Sequence, residues 1–237
     1  MGYTVALRPN SHMYSTSLLQ RTQILYTPDI SMILWRLNLK PGMKVVESGT
    51  GTGSLSTSIA RAIFPTGHLY TYEFNKYRHE KSEEDFEKTG LSRYVTATHR
   101  DVLGNGFLLD DKVTKESVDA VFLDLPKPEE AVKHAYEVLK TKGKLCNFSP
   151  CIEQVQKATQ EMAKLGFYDI RTFESLCKEV EMNTFPYKSI NHIEDDAPEE
   201  PEKVDKSYAK KGKNKGKNEA NKRKAKHFDK TMHPVSG

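Results

Sequence analysis

Short apolar runs alternate with amphipathic ones along most of this chain. Six runs carry the strand signature of β-branched, aromatic and small residues bounded by turn formers: Lys44–Glu47, His68–Glu73, Tyr94–Thr98, Val118–Leu123, Lys144–Phe148 and Tyr168–Phe173. Between them the apolar positions change to helical spacing. Ser54–Phe64 sets Leu55, Ile59, Ala62 and Ile63 on one side. Glu129–Leu139 does the same with Ala131, Ala135, Val138 and Leu139, and Ile152–Leu165 with Val155, Thr159, Met162 and Ala163. Asn75–Lys88 predicts a charged helix with few core positions, and Trp35 in Met32–Leu37 is expected in the core. Strands alternating with helices of this length predict an α/β, doubly wound, mostly parallel sheet. No internal repeat is visible.

The alternation stops near residue 193. Glu194–Glu202 is acidic and punctuated by proline, and a lysine-rich run follows from Lys206 to Lys226. Such a composition cannot bury enough apolar surface to offset chain entropy, so 194–237 is expected to be a disordered, acidic-then-basic tail. The tail holds twelve basic and nine acidic residues, so most of the net charge of +4 belongs to it and the body is close to neutral. Contact with RNA phosphates, nuclear import through Lys222–Lys226, and a solvated linker all remain open readings of that run.

No apolar run approaches the ~18 residues of a membrane span. The first eight residues lack the apolar core of a secretory signal, and Ala6 stands where a myristoylation motif wants a hydroxyl. Cys146, Cys151 and Cys177 form no CxxC pair and read as reduced thiols. Neither they nor the scattered histidines have metal-ligand spacing, so no metal site is expected.

The chemistry-bearing signal follows the first strand signature: Glu47-Ser48-Gly49-Thr50-Gly51-Thr52-Gly53-Ser54. Ligands of open parallel sheets bind at the carboxyl ends of strands, where strand order reverses. The glycines allow a sharp turn and close approach, and a helix starting at Ser54 offers its amide end. The spacing is GxGxG, whereas a dinucleotide fingerprint needs GxGxxG. Glu47 at the strand end would repel a pyrophosphate and suits an ammonium group. The pattern therefore favours S-adenosylmethionine in a fold of the class I, Rossmann-like methyltransferase type. Glu73 stands where a carboxylate accepts from ribose hydroxyls, Asp101 beside Val102 where one accepts from an adenine amine, and Asp124 ends the fourth strand signature.

The segments Arg21–Tyr26 (RTQILY), Val46–Ser54, Pro65–Leu69, Ala120–Pro126 (AVFLDLP) and Phe148–Val155 (FSPCIEQV) resemble the catalytic subunit of the eukaryotic tRNA (adenine-58-N1)-methyltransferase. The resemblance implies cofactor contacts at Leu25, Thr52, Gly53, Ser54, Glu73, Arg78, Asp101 and Asp124, with Asp124 catalytic. Gly49, Gly51, Glu47 and Val102 join that set from their positions in the loop and beside Asp101. It also implies tRNA as substrate and a related noncatalytic subunit in a heterotetramer; a nuclear location is expected.

Against that family's pattern the chain is expected to be shortened at both ends. Residues 1–20 then read as a remnant of a β-rich domain, 21–193 as the methyltransferase domain, and the final strand of the sheet as missing. A noncatalytic subunit that binds RNA or a partner without turnover is the alternative reading. A methyltransferase acting on protein or a small molecule is a weaker one.

Overall fold

The computed structural model describes residues 4–8, 10–19 and 21–176. The elements run α1 (Ser11–Ser17), α2 (Thr27–Leu37), β1 (Lys44–Ser48), α3 (Ser54–Ile63), β2 (His68–Glu73), α4 (Lys76–Lys88), β3 (Val95–His99), α5 (Val102–Asn105), β4 (Val118–Asp124), α6 (Pro128–Val138), β5 (Leu139–Phe148) and α7 (Ile152–Lys164). The five strands form one sheet in the order β3-β2-β1-β4-β5. All four ladders are parallel, with Val46 opposite Tyr70 on one side and Val121 on the other. The chain steps outward from β1 to β2 and β3, then returns past β1 to lay down β4. The order therefore reverses between β1 and β4, and a crevice opens at their carboxyl ends.

Alternation along each strand feeds two cores. Val45, Leu69, Ala120 and Phe122 face α2, α3 and Phe86 of α4, through Ile30, Ile33, Leu37, Leu55, Ile59 and Ile63. Val46, Tyr70, Tyr72, Val121 and Leu123 face α6 and the segment after α5, through Val102, Phe107, Val113, Ala131, Ala135 and Val138. Helices thus cover both faces, as the sequence pattern predicts. Phe122 lies 1% exposed at the sheet centre, where truncation to alanine costs on the order of 3–5 kcal/mol. Among the described residues, no helix is long and apolar enough to cross a membrane.

Three expectations need correction. Tyr168–Phe173 forms no strand. Asp169 turns the chain at φ 55, Tyr168 is 78% exposed, and Phe173 lies instead against the Arg36 guanidinium. The residue pattern suited a strand, but among the described residues no neighbouring strand supplies a ladder. Trp35 is 67% exposed rather than buried. The buried stripe of α2 is Ile30, Ile33 and Leu37, and Trp35 lies on the opposite side under Arg36. Leu139 leaves the helix that was expected to contain it and starts β5. The ladder then jumps from Val118 opposite Leu139 to Ala120 opposite Lys144, so the regular part is the expected Lys144–Phe148. Finally, α1 and α2 are elements that the apolar pattern did not announce. Helix α1 lies within the span read as a β-rich remnant. The boundary at 193, the tail and Cys177 fall outside the described residues.

Candidate active site

The crevice at the switch point is a cleft of about 470 Å³, within the usual size of small-molecule sites. Its base is the turn after β1. Gly49 adopts φ +97, and a Cβ there would overlap the carbonyl oxygen of Asp124. The loop and the end of β4 can therefore meet only through a glycine. Gly49 and Thr50 donate their amides to the Tyr72 carbonyl, and Thr50 Oγ1 bonds Thr71 Oγ1 at 2.6 Å. Thr22 Oγ1 sits 2.9 Å from where a Gly51 Cβ would lie, so the segment before α2 packs directly on the loop.

That segment holds the loop from above. Thr52 Oγ1 accepts from the Arg21 amide at 3.2 Å and bonds Thr22 Oγ1 at 3.2 Å. Ser54 Oγ bonds Ser15 Oγ of α1 at 2.7 Å and donates to the Leu25 carbonyl at 3.2 Å. Arg21 is itself anchored on Asp85 of α4 at 2.9 Å.

Glu73, 3% exposed at the end of β2, is the most heavily bonded carboxylate. Its Oε2 accepts from the Gly51 amide at 2.9 Å. Its Oε1 accepts from the Asn75 amide at 3.0 Å and from Arg78 Nε and Nη2 at 3.0 and 2.6 Å. Arg78 lines the cleft, but its guanidinium is committed to orienting Glu73. Neither a pair with the α4 face nor a purely ligand-directed role describes it.

Glu47 is 1% exposed and receives the Ser56 hydroxyl at 2.5 Å. Burial pushes its carboxyl up to about 7, against the hydrogen bonds from Ser56 and Thr71. The negative charges of Asp124 and Glu73 raise it further. A cation entering the cleft would favour its ionised form. Asp101 caps α5, its Oδ1 accepting from the Leu103 amide at 3.0 Å, and Val102 is buried beside it. Arg100 secures the following segment by donating to the carbonyls of Gly106 and Leu108.

Asp124 differs from these groups. It closes β4 opposite Phe148, and burial raises its pKa above the ordinary carboxylate value. Among the described residues, no hydrogen bond or ion pair holds its carboxyl.

The structure brings Leu25, Glu47, Gly49, Gly51, Thr52, Ser54, Glu73, Arg78, Asp101, Val102 and Asp124 to the lining of this one cleft. Gly53 is the exception. It stands at the N-cap of α3 with its α-carbon turned toward Phe86. Thr22, Gln23, Tyr72, Phe74, Arg100 and Pro126 also line the cleft and were not singled out as site residues. Phe74, 69% exposed directly after Glu73, was a readable signal. The lining carries four carboxylates and two arginines, one of them spent on Glu73, so it suits a ligand with cationic groups rather than a pyrophosphate.

Residues 2–236 match the model of the family described as the tRNA methyltransferase complex GCD14 subunit. The chain belongs to this family. It is 45% identical over 190 residues to a protein of Dictyostelium discoideum named tRNA (adenine(58)-N(1))-methyltransferase catalytic subunit, covering 80% of this chain and 60% of that one. It is 42% identical over 187 residues to a protein of the same name in Cryptococcus neoformans, covering 78% and 42%. The chain thus spans about half the length of the curated relatives it matches. Among solved structures, an S-adenosylmethionine-dependent O-methyltransferase of Thermotoga maritima superimposes with a TM-score of 0.65 at 32% identity, covering 71% of this chain and 61% of that one. The tRNA (m1A58) methyltransferase of Aquifex aeolicus gives 0.58 at 23% identity, covering 66% and 60%, and so shares the fold. The fold is the class I methyltransferase type expected from the sequence.

Proposed function

We propose that this chain binds S-adenosylmethionine in the β1–β4 cleft and methylates N1 of adenine 58 in tRNA, as the catalytic subunit beside a related noncatalytic one. The names of the relatives in Dictyostelium and Cryptococcus support the substrate. The observation that carries the catalytic reading is Asp124, a half-buried carboxylate that no hydrogen bond or ion pair holds among the described residues, in a cleft whose other carboxylates are tied or capped.

The residues fit the cofactor. Glu47 suits the ammonium group, Glu73 the ribose hydroxyls, Asp101 and Val102 the adenine, and the Gly49–Ser54 turn allows close approach. Bound there, S-adenosylmethionine supplies an electrophilic methyl group. The chain's own contribution is placement and charge. Adenine N1 already bears a lone pair, so no base is needed to expose the nucleophile. Asp124 accepts from the exocyclic amine, turns N1 toward the donor and stabilises the positive charge that grows on the ring. The adenine must leave the tRNA fold to enter the cleft. The lysine-rich run and the expected nuclear location belong to this reading.

The test is methyl transfer to unmodified tRNA by the purified chain with its noncatalytic relative. The expected product is 1-methyladenosine, lost when adenine 58 is replaced by guanosine. Labelling that survives the replacement, or none at all despite cofactor binding, contradicts the proposal.

A further inference from the structure

Asp124 is followed by Leu125, Pro126 and Lys127, and the first two line the cleft with it. The end of β4 is fixed on one side by Gly49 and on the other by its register with Phe148. Beyond Asp124 the ladder stops, and α6 does not begin until Pro128. Across that gap, from the first turn of α7, Gln154 donates its Nε2 to the Pro126 carbonyl at 2.9 Å. The other end of the same amide, Oε1, is shielded from solvent and has no hydrogen-bond partner among the described residues.

An unpaired buried acceptor is unfavourable, and an apolar side chain of similar shape would avoid it. Gln154 therefore stands at a cost to stability, and what it supplies is the donor to Pro126. We infer that Gln154 is a positioning residue for methyl transfer: it ties the Leu125–Lys127 loop to α7 and so fixes where Asp124 meets the acceptor base. Gln154 does not line the cleft and touches neither cofactor nor base; it acts through the loop. Its effect belongs on the transfer step and on the environment of Asp124. Cofactor affinity, set by the opposite wall, is left alone.

This inference rests on the proposed transfer reaction, so its test has a readout independent of activity. The full chain is prepared as wild type, Gln154→Leu and Gln154→Lys. Leucine keeps the bulk and removes the donor, whereas lysine can donate to the same carbonyl. For each, S-adenosylmethionine affinity, single-turnover transfer to unmodified tRNA beside the noncatalytic relative, and the titration of 13C-labelled Asp124 are measured. Gln154→Leu is expected to melt no lower than wild type and to bind cofactor within about twofold. It should transfer at least about tenfold more slowly. Water entering the loosened loop should bring the Asp124 titration down toward the ordinary carboxylate range. Gln154→Lys should recover most of both changes. An unchanged Asp124 titration in Gln154→Leu, or a lysine variant as impaired as the leucine one, overturns the inference. If wild type methylates nothing while Gln154→Leu still moves the Asp124 titration, the brace stands and the proposed reaction is what fails.

Discussion

The two walls of the cleft are built to different standards of restraint. On the wall formed by β1, β2 and the segment before α2, polar side chains are held from several directions. Glu73 receives four donors, Glu47 takes the Ser56 hydroxyl, and Thr52 and Ser54 are tied to residues 15–25. On the wall at the end of β4, no hydrogen bond or ion pair holds the Asp124 carboxyl among the described residues, and the loop beyond it is reached by Gln154. A site for a molecule that must be gripped the same way at each turnover gains from groups fixed before it arrives. A carboxylate that must respond to charge growing on a second substrate is more useful with its acceptor capacity unspent. The difference between the walls thus matches the division that the proposed reaction requires, between holding a donor and activating an acceptor.

The largest effect is expected where the walls touch. Gly49→Ala forces a side chain at φ +97 and drives a Cβ into the Asp124 carbonyl. It should cost roughly 2–4 kcal/mol in urea unfolding and impair cofactor binding and transfer together. Arg78→Ala should act on one wall alone. It removes two donors from Glu73, so calorimetric S-adenosylmethionine affinity should fall by between about 10- and 100-fold. Transfer at saturating cofactor should persist. An equal loss of both would mean that Arg78 also serves the acceptor.

A smaller effect comes from Glu47. Its carboxyl lies at about 7 in the folded chain against an ordinary 4.5, so the folded state holds the extra proton between those values. The stability of the unligated chain therefore falls as pH rises through that window, by about 3 kcal/mol in all, and the loss is complete above pH 7. A cationic ligand favours the ionised form. Cofactor affinity should rise about tenfold from pH 6 to pH 8, and Glu47→Gln should flatten that dependence.

Most of the better-restrained wall was legible in the sequence because its parts are local. GxGxG, Glu47 and Glu73 lie at strand ends, and strand ends can be read from short apolar runs. Their partners were not legible. Ser15, Arg21 and Thr22 reach the loop across 30 or more positions, and the apolar pattern did not mark α1 or α2. Trp35 was misplaced because a mostly apolar hexapeptide, Met32–Leu37, reads as core until the helix phase is known. Tyr168–Phe173 failed for a related reason: a strand exists only with a neighbour, and residue preference cannot supply one. The Gln154 bond joins residues 28 apart through a single amide, a relation no spacing rule encodes.

The separation of the walls is tested most directly by Asp124→Asn. It keeps the shape beside Gly49 while removing the charge. S-adenosylmethionine affinity and single-turnover transfer to unmodified tRNA are measured on the same preparation. The expected result is an affinity within about threefold of wild type and a transfer rate lower by at least about 100-fold. Losses that run in parallel would place Asp124 on the cofactor side and contradict the division.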